Sequence, residues 1–171
     1  QIFGKIVVNR RKDHEQTQQL HHDEIEIGQQ ASYSKTIGEQ DIQMFAAVSG
    51  DVNPVHLDAE FAATTQFKQP IAHGMLTGAL VSAALALELP GPGTIYLGQS
   101  LRFRLPVLIG DHITIELEVT EKRDDRKFVT LDCKALNQNG KVVASGIAEV
   151  MAPSEKLELE APEIPVFSPS V

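Results

Sequence analysis

The second half of the chain alternates apolar and polar residues with a period of two. This period is typical of strands that bury one face. Asn139-Gly140 is a strong hairpin signal, and it precedes a last strand predicted from about Val142 to Met151. Residues after 93 are therefore predicted to form an antiparallel sheet. The apolar positions of shared parity are Ile95, Leu97, Leu101 and Phe103, then Ile113, Ile115, Leu117 and Val119, then Val129, Leu131, Cys133 and Ala135.

Before these strands, the stretch from Gly74 to Leu89 is apolar almost all round, which predicts a helix enclosed by other structure. It is about five residues short of the roughly twenty that span a bilayer, and it contains Glu88, so no membrane span is predicted. The segment Pro90-Gly91-Pro92-Gly93 ends this helix.

Two further helices are predicted upstream. The first covers Glu39–Val48 and ends at Gly50, and the second is a short helix to about Ala63 with Asp58 as its N-cap. The residues expected near one face of the first helix are Ile42, Phe45, Ala46 and Val48.

One long buried helix followed by a meander of long strands favours the α+β class, with an antiparallel sheet wrapped around a long central apolar helix. We expect this domain over residues 31–153. Residues 1–30 are polar and rich in Gln, His and charge, and are predicted to form a peripheral arm. Residues 154–171 are acidic and carry several prolines, which predicts a tail or linker that cannot bury enough apolar surface to fold alone.

Composition limits the possible partners and compartments. The net charge of −8 and the 5% of aromatic residues argue against nucleic acid as a partner. Cys133 is the only cysteine, so no disulfide framework exists within the chain, and a core position in a reducing, cytoplasmic compartment is expected. No secretory signal is visible. The sequence begins with Gln1 rather than Met, so we expect that an N-terminal piece is missing.

The segment from Asp51 to His56 places a carboxylate, the amide of Asn53 and an imidazole close together. Pro54 stiffens this loop, because it fixes its own φ and pushes the preceding residue toward extended geometry. A stiff loop can hold an acid and a base toward one point of a substrate. The alternative is a simple turn, since Asp, Asn and Pro are all turn formers and Asp51 could merely cap backbone donors.

A second signal is His73-Gly74, which opens the apolar helix. The first N–H groups of a helix are unpaired and carry partial positive charge, and Gly74 lets a ligand oxygen approach closely. These properties are those of an oxyanion hole. The alternative is that Gly74 only permits tight packing and that His73 is a local cap. For Ser82, a hydrogen bond back to a carbonyl one turn earlier is the expected role.

Taken together, four segments resemble the hydratase motif of the MaoC-like hydratases, a family of the hotdog superfamily. The likeness runs from about Ile27 to Pro153 and no motif position departs from it. The segments are residues 45–58 (FAAVSGDVNPVHLD), 61–65 (FAATT), 71–76 (IAHGML) and 95–103 (IYLGQSLRF). The tail resembles the connector that follows hydratase-like domains fused to phosphate acyltransferases.

The resemblance implies a hotdog fold, usually dimeric, and (R)-specific hydration of trans-2-enoyl-CoA in fatty-acid or polyester metabolism, without metal or redox cofactor. Asp51 and His56 would be the catalytic pair, Asn53 would orient the pair or the water, and the Gly74 N–H would bind the thioester oxygen. Other functions stay open: dehydration of another 3-hydroxyacyl thioester, a hotdog thioesterase, or a non-catalytic acyl-CoA-binding domain fused to a transferase. The intact acid/base set argues against a pure binder.

Substrate-binding residues are predicted less directly. The acyl pocket is expected to be lined by the apolar helix and by the last strand near Val150. The CoA phosphates need cations, for which two strand residues are candidates, although solvated strand positions explain them equally well. The residues of these predictions are Leu80, Ser82 and Leu85 for the pocket, and Arg102 and Arg104 for the phosphates.

Overall fold

Antiparallel strands form the main body of the protein. The computed structural model describes residues 6–8, 19–157, 159 and 165–167. The strands are β1 Ile6–Val8, β2 Gln30–Thr36, β3 Ile95–Phe103, β4 His112–Arg123, β5 Phe128–Leu136, β6 Val142–Met151 and β7 Pro165–Phe167. The helices are α1 Glu39–Ser49, α2 Pro54–Leu57, α3 Ala59–Thr64 and α4 Gly74–Leu87, with a 3₁₀ turn at His22–Glu24. Five strands make one antiparallel sheet in the order β2-β4-β5-β6-β3, while β1 pairs with β7.

The core lies between one face of this sheet and α4. The predicted alternation holds in β4 and β5, where every second residue from Ile113 to Val119 and from Val129 to Ala135 is buried. The helix α4 packs against β2, β3, β4 and β5. The predicted α+β hotdog fold, with a sheet wrapped around a long apolar helix, is confirmed.

Strand β3 departs from the predicted alternation. An extra residue, Leu97, forms a β-bulge against β6, and the pairs on either side are Tyr96–Val150 and Gly98–Glu149. Ile95 and Leu97 are 50% and 48% exposed. The prediction that they share a buried face is wrong, because the bulge inverts the alternation and turns Tyr96 toward the core face instead.

Helices α1, α3 and α4 follow their predicted bounds closely, whereas α2 lies partly within the segment predicted as a loop. Two further differences concern the helix surfaces. Helix α1 ends at Gly50, whose φ is 77°, but Val48 is 88% exposed and does not share the buried face of Ile42. In α4, Met75 is 59% exposed, so within this chain the helix is enclosed only where it faces the sheet. Among the described residues, no helix combines the length and hydropathy needed to cross a bilayer.

The described part of the predicted N-terminal arm packs against the main body. The Leu20 N–H donates to Pro90 O and the His22 N–H donates to Pro153 O, both at 2.9 Å. Ile25 joins the hydrophobic core. Residues 1–5, 9–18, 158, 160–164 and 168–171 of the predicted arm and tail lie outside the described residues.

Gly146 in β6 provides a test of how tightly β3 pairs with the rest of the sheet. A Cβ at Gly146 would overlap the backbone carbonyl oxygen of Ser100, which cannot move without breaking the pairing. We expect Gly146→Ala to destabilise the protein by about 3 kcal/mol, lowering Tm by roughly 10 °C in a thermal-unfolding scan. The matched control is Gly98→Ala, whose Cβ would meet only the flexible end of Glu149 and should change Tm little. Equal Tm values for the two variants would contradict this account.

Candidate active site

The loop that follows α1 is held by side chains that bond to its own backbone. The Asp51 N–H donates to Ser49 Oγ, the Asn53 N–H donates to Asp51 Oδ1, and the Val55 N–H donates to Asn53 Oδ1, each at 3.2 Å. Pro54 occupies the first turn of α2. The turn chemistry weighed from the sequence is therefore present. The turn uses only Oδ1 of Asp51 and leaves Oδ2 available, so it does not exclude a catalytic role for this carboxylate.

His56 has a defined tautomer. It lies half-buried on α2, and its Nδ1 is 2.7 Å from the carbonyl oxygen of Ile71. Because a carbonyl only accepts, Nδ1 carries the hydrogen in this bond. In the neutral ring Nε2 then has a free lone pair and can take a proton.

His73 is a site residue whose role sequence reasoning missed. His73 occupies the N-cap position of α4, as the cap interpretation expects, but its side chain makes no capping hydrogen bond to the helix. The ring is 2% exposed, and its Nε2 is 2.9 Å from the carbonyl oxygen of Asp51, so Nε2–H donates. Its centroid lies 3.9 Å from that of His56 and 5.0 Å from that of Phe45. The available signal was a polar ring directly before a largely apolar helix, because such a ring needs a partner when it is buried.

Asp51, His56 and His73 form a compact cluster, with one potential ligand atom of each residue within 4.8 Å of the other two. The two imidazole rings lie against each other with their planes tilted by 32°. Lone pairs lie in the ring plane, and a bound zinc ion would need to lie about 2.0–2.1 Å from each nitrogen. The same side chains that could hold an ion, a carboxylate and two imidazoles, are also the groups that acid/base chemistry needs.

Gly74 brings backbone donors to the same place. It is the first residue of α4, so its N–H and that of Met75 have no acceptor within the helix. A Cβ at Gly74 would lie 3.1 Å from the ring of Phe103. Glycine therefore lets the ring lie directly against the helix start. Since His73 precedes Gly74 and contacts both Asp51 and His56, the structure brings the predicted catalytic residues together.

Most of the residues predicted to line an acyl pocket lie in the hydrophobic core. Leu80 and Leu85 belong to the main hydrophobic core, as does Val150. Ser82 is half-buried, and the expected bond from its hydroxyl to a carbonyl one turn earlier is absent from the hydrogen bonds of the described residues. A role of these residues in acyl binding stays a prediction.

Arg102 and Arg104 lie on the outer face of the sheet, away from α4. Arg104 Nε is 3.4 Å from Ser145 Oγ, and Arg102 lines a shallow depression of about 640 Å³ beside Asp132. This depression is separated from Gly74 by the sheet of the same chain. Contact of either arginine with CoA phosphates stays a prediction.

Comparison with known proteins matches residues 15–139 to the family model of the MaoC-like domain. The chain is 50% identical over 129 residues to the (R)-specific enoyl-CoA hydratase of Aeromonas caviae, covering 75% of this chain and 96% of that protein. The corresponding hydratase of Rhodospirillum rubrum is 48% identical over 136 residues, with coverages of 79% and 94%.

Solved structures of (R)-hydratases are also similar to this chain. R-hydratase PhaJ1 from Pseudomonas aeruginosa, in the unliganded form, superimposes with a TM-score of 0.85 at 57% identity, over 91% of this chain and 100% of that chain. The Aeromonas caviae (R)-hydratase, described as involved in PHA biosynthesis, gives a TM-score of 0.73 at 50% identity, with coverages of 75% and 98%.

The two stacked histidines should show opposite tautomers. Long-range ¹H–¹⁵N correlation spectra of the neutral rings should show His56 protonated at Nδ1 and His73 at Nε2, because each of these atoms faces a carbonyl. His112 is an internal control: its Nδ1 faces the Thr36 hydroxyl, which can donate or accept and imposes no tautomer. A His56 protonated at Nε2 would remove its proposed lone pair and contradict the site as described.

Proposed function

The chain belongs to the family of MaoC-like domains, and from that premise we propose that it catalyses the (R)-specific hydration of trans-2-enoyl-CoA to (R)-3-hydroxyacyl-CoA. One observation carries the proposal. A carboxylate oxygen of Asp51 and the Nε2 of His56 remain available beside the unpaired N–H of Gly74. The relatives named as (R)-specific enoyl-CoA hydratases support the substrate class and the stereochemistry.

The Gly74 N–H would bind the thioester carbonyl oxygen. When water adds to the β-carbon, negative charge develops on this oxygen, and a donor fixed at the positive end of a helix stabilises it without reorganising. The polarised carbonyl makes the β-carbon electrophilic. Phe103, packed against Gly74, provides an apolar wall on one side of the oxygen and strengthens the electrostatic interaction by excluding water.

Asp51 and His56 would carry out the proton transfers of the reaction. Oδ2 of Asp51 and Nε2 of His56 hold the attacking water, and one of them takes its proton as the new C–O bond forms at the β-carbon. The pair then delivers a proton to the α-carbon, so its total charge is the same before and after the reaction. Asn53, whose Oδ1 is bonded to the Val55 N–H, keeps its amide N–H groups for orienting the carboxylate or the water.

The physiological setting is proposed from the relatives. The Aeromonas caviae hydratase is described as involved in PHA biosynthesis, so a supply of 3-hydroxyacyl-CoA for polyhydroxyalkanoate is the setting we favour. A reducing, cytoplasmic compartment is part of the same proposal, supported by the free, buried Cys133.

We further propose that two copies of the chain associate through β3. Strand β3 is an edge of the described sheet, so its outer backbone groups are available for pairing. Apolar side chains are exposed along it and beside it, including Leu97, Met75 and Phe103. Since Met75 and Phe103 flank Gly74, a partner seated here would cover the oxyanion site and exclude water from it.

Hydratase activity can be tested by following the loss of enoyl-thioester absorbance with crotonyl-CoA, with an (R)-selective dehydrogenase to identify the product. Asp51→Asn and His56→Ala should each lower kcat by about 10³-fold or more, because each removes a proton-transfer group. Glu60→Gln is the matched control, since it removes an exposed carboxylate from the neighbouring helix α3. A parent protein that binds crotonyl-CoA without turnover would indicate the non-catalytic acyl-CoA-binding alternative.

Association through β3 can be tested by light scattering coupled to gel filtration. We expect a dimer for the parent protein and a shift toward monomer for Leu97→Glu, because a charge would be buried at the interface. Ile27→Glu is the control, since Ile27 is also exposed but lies away from β3. A dimer that is unaffected by Leu97→Glu would place the interface on another surface.

A further inference from the structure

Three side chains of the candidate site each have one atom that no other described residue uses. Among the described residues, Nε2 of His56, Nδ1 of His73 and Oδ2 of Asp51 take part in no hydrogen bond. Nδ1 of His73 is also fully enclosed, and a buried polar atom without a partner costs free energy. All three atoms carry lone pairs when the rings are neutral, so a cation that accepts lone pairs is the complementary ligand.

The opposite nitrogen of each imidazole is fixed by a backbone carbonyl. His56 Nδ1–H donates to Ile71 O at 2.7 Å, and His73 Nε2–H donates to Asp51 O at 2.9 Å. Histidines that bind metals almost always donate their second ring N–H to a carbonyl, a carboxylate or water, which fixes the tautomer and the ring orientation. Both rings therefore already have the outer-sphere partners that metal-binding histidines have.

The distances between these side chains are close to those of a metal site. One potential ligand atom of each of Asp51, His56 and His73 lies within 4.8 Å of the other two. A tetrahedral zinc ion with bonds of about 2.0–2.1 Å places its ligand atoms about 3.4 Å apart. The three groups therefore need to approach one another by at most about 1.4 Å. Asp51 is exposed, so rotation of its side chain can supply part of this movement.

We propose that Asp51, His56 and His73 form a reversible inhibitory site for Zn²⁺. The binding rests on this geometry alone, and the inhibition rests on the proposed hydratase function. Two imidazoles and a carboxylate suit zinc, whereas Mg²⁺ and Ca²⁺ prefer oxygen ligands. A zinc ion bound here takes the lone pair of His56 and a carboxylate oxygen of Asp51, so neither group can hold the attacking water or accept its proton. Hydration of enoyl-CoA therefore stops until the ion leaves.

The N-terminal arm contains a second group of histidine and carboxylates, which is the competing place for zinc. His22 Nδ1 lies 3.5 Å from Asp23 Oδ1 and 3.8 Å from Asp124 Oδ1. Only one imidazole faces the two carboxylates there. Asp23 is also paired with the Lys127 ammonium at 3.1 Å, and this positive charge opposes the binding of a cation. Zinc should therefore prefer the site at Asp51.

Zinc binding can be followed on the full chain by long-range ¹H–¹⁵N correlation spectra during a titration with ZnSO₄. We expect the signals of Nε2 of His56 and Nδ1 of His73 to shift together, because coordination occupies their lone pairs. The ring signals of His112, which lies outside both groups, should not shift. Shifts confined to His21 and His22 would show adventitious zinc on the arm only and would overturn the proposed site.

Two matched variants test the carboxylate ligand by titration calorimetry with Zn²⁺. Asp51→Asn should lower the zinc affinity at least about tenfold, which is the loss that even an outer-sphere partner causes. The carboxamide keeps an acceptor for the Asn53 N–H, so the loop should still fold. Asp23→Asn makes the same substitution in the arm and should leave the zinc affinity unchanged. An affinity of Asp51→Asn equal to that of the parent would overturn the proposal.

The inhibitory effect is measured with crotonyl-CoA and the parent protein. Free Zn²⁺ at about ten times its Kd should lower kcat/KM about tenfold by occupancy of one site, and EDTA should restore it. The same concentration of Mg²⁺ should have little effect. Full activity while both histidines are shifted would overturn the inhibitory role. A metal-free parent that turns over no enoyl-CoA would instead refute the proposed hydratase function, and the spectra alone would then decide whether the zinc site exists.

Discussion

The hydrogen bond from His73 Nε2–H to the carbonyl oxygen of Asp51 is the contact on which the site depends. It joins the loop after α1 to the first turn of α4, two elements that are separate in sequence. The same imidazole stacks on His56, so one buried ring sets the position of the acid, the base and the neighbouring Gly74. Because His73 is enclosed, this arrangement is fixed before any substrate arrives, which is the condition for efficient electrostatic stabilisation.

Much of this site could be predicted from local sequence. Asp51, Asn53 and His56 fall within six residues stiffened by Pro54, so their proximity is a local property of the loop. Gly74 could be placed at a helix start because the apolar run after it is long and uniform. In the same way, β4 and β5 could be predicted because each buries one face and exposes the other, and alternation is a strong signal in that situation.

The parts that could not be predicted depend on contacts between distant segments. Nothing within the apolar helix shows that His73 bonds to a carbonyl 22 residues earlier. The exposure of Val48 at the end of α1 depends on how that helix sits against the sheet, which helical spacing alone does not determine. The bulge at Leu97 depends on the pairing partner β6, so a count of alternating residues within β3 gives the wrong face for the first part of that strand.

That bulge determines which side chains of β3 face α4 and which face outward. If β3 paired with β6 without the extra residue, its first part would slip by one position and exchange the faces of Tyr96 and Leu97. The side of β3 that faces α4 would then carry an aliphatic group instead of a phenol, and the outer face of the sheet would carry the phenol. A one-residue change of register would therefore alter the helix-facing side and the outer face of this edge strand together. Descendants of this fold could therefore change both surfaces in a single evolutionary step.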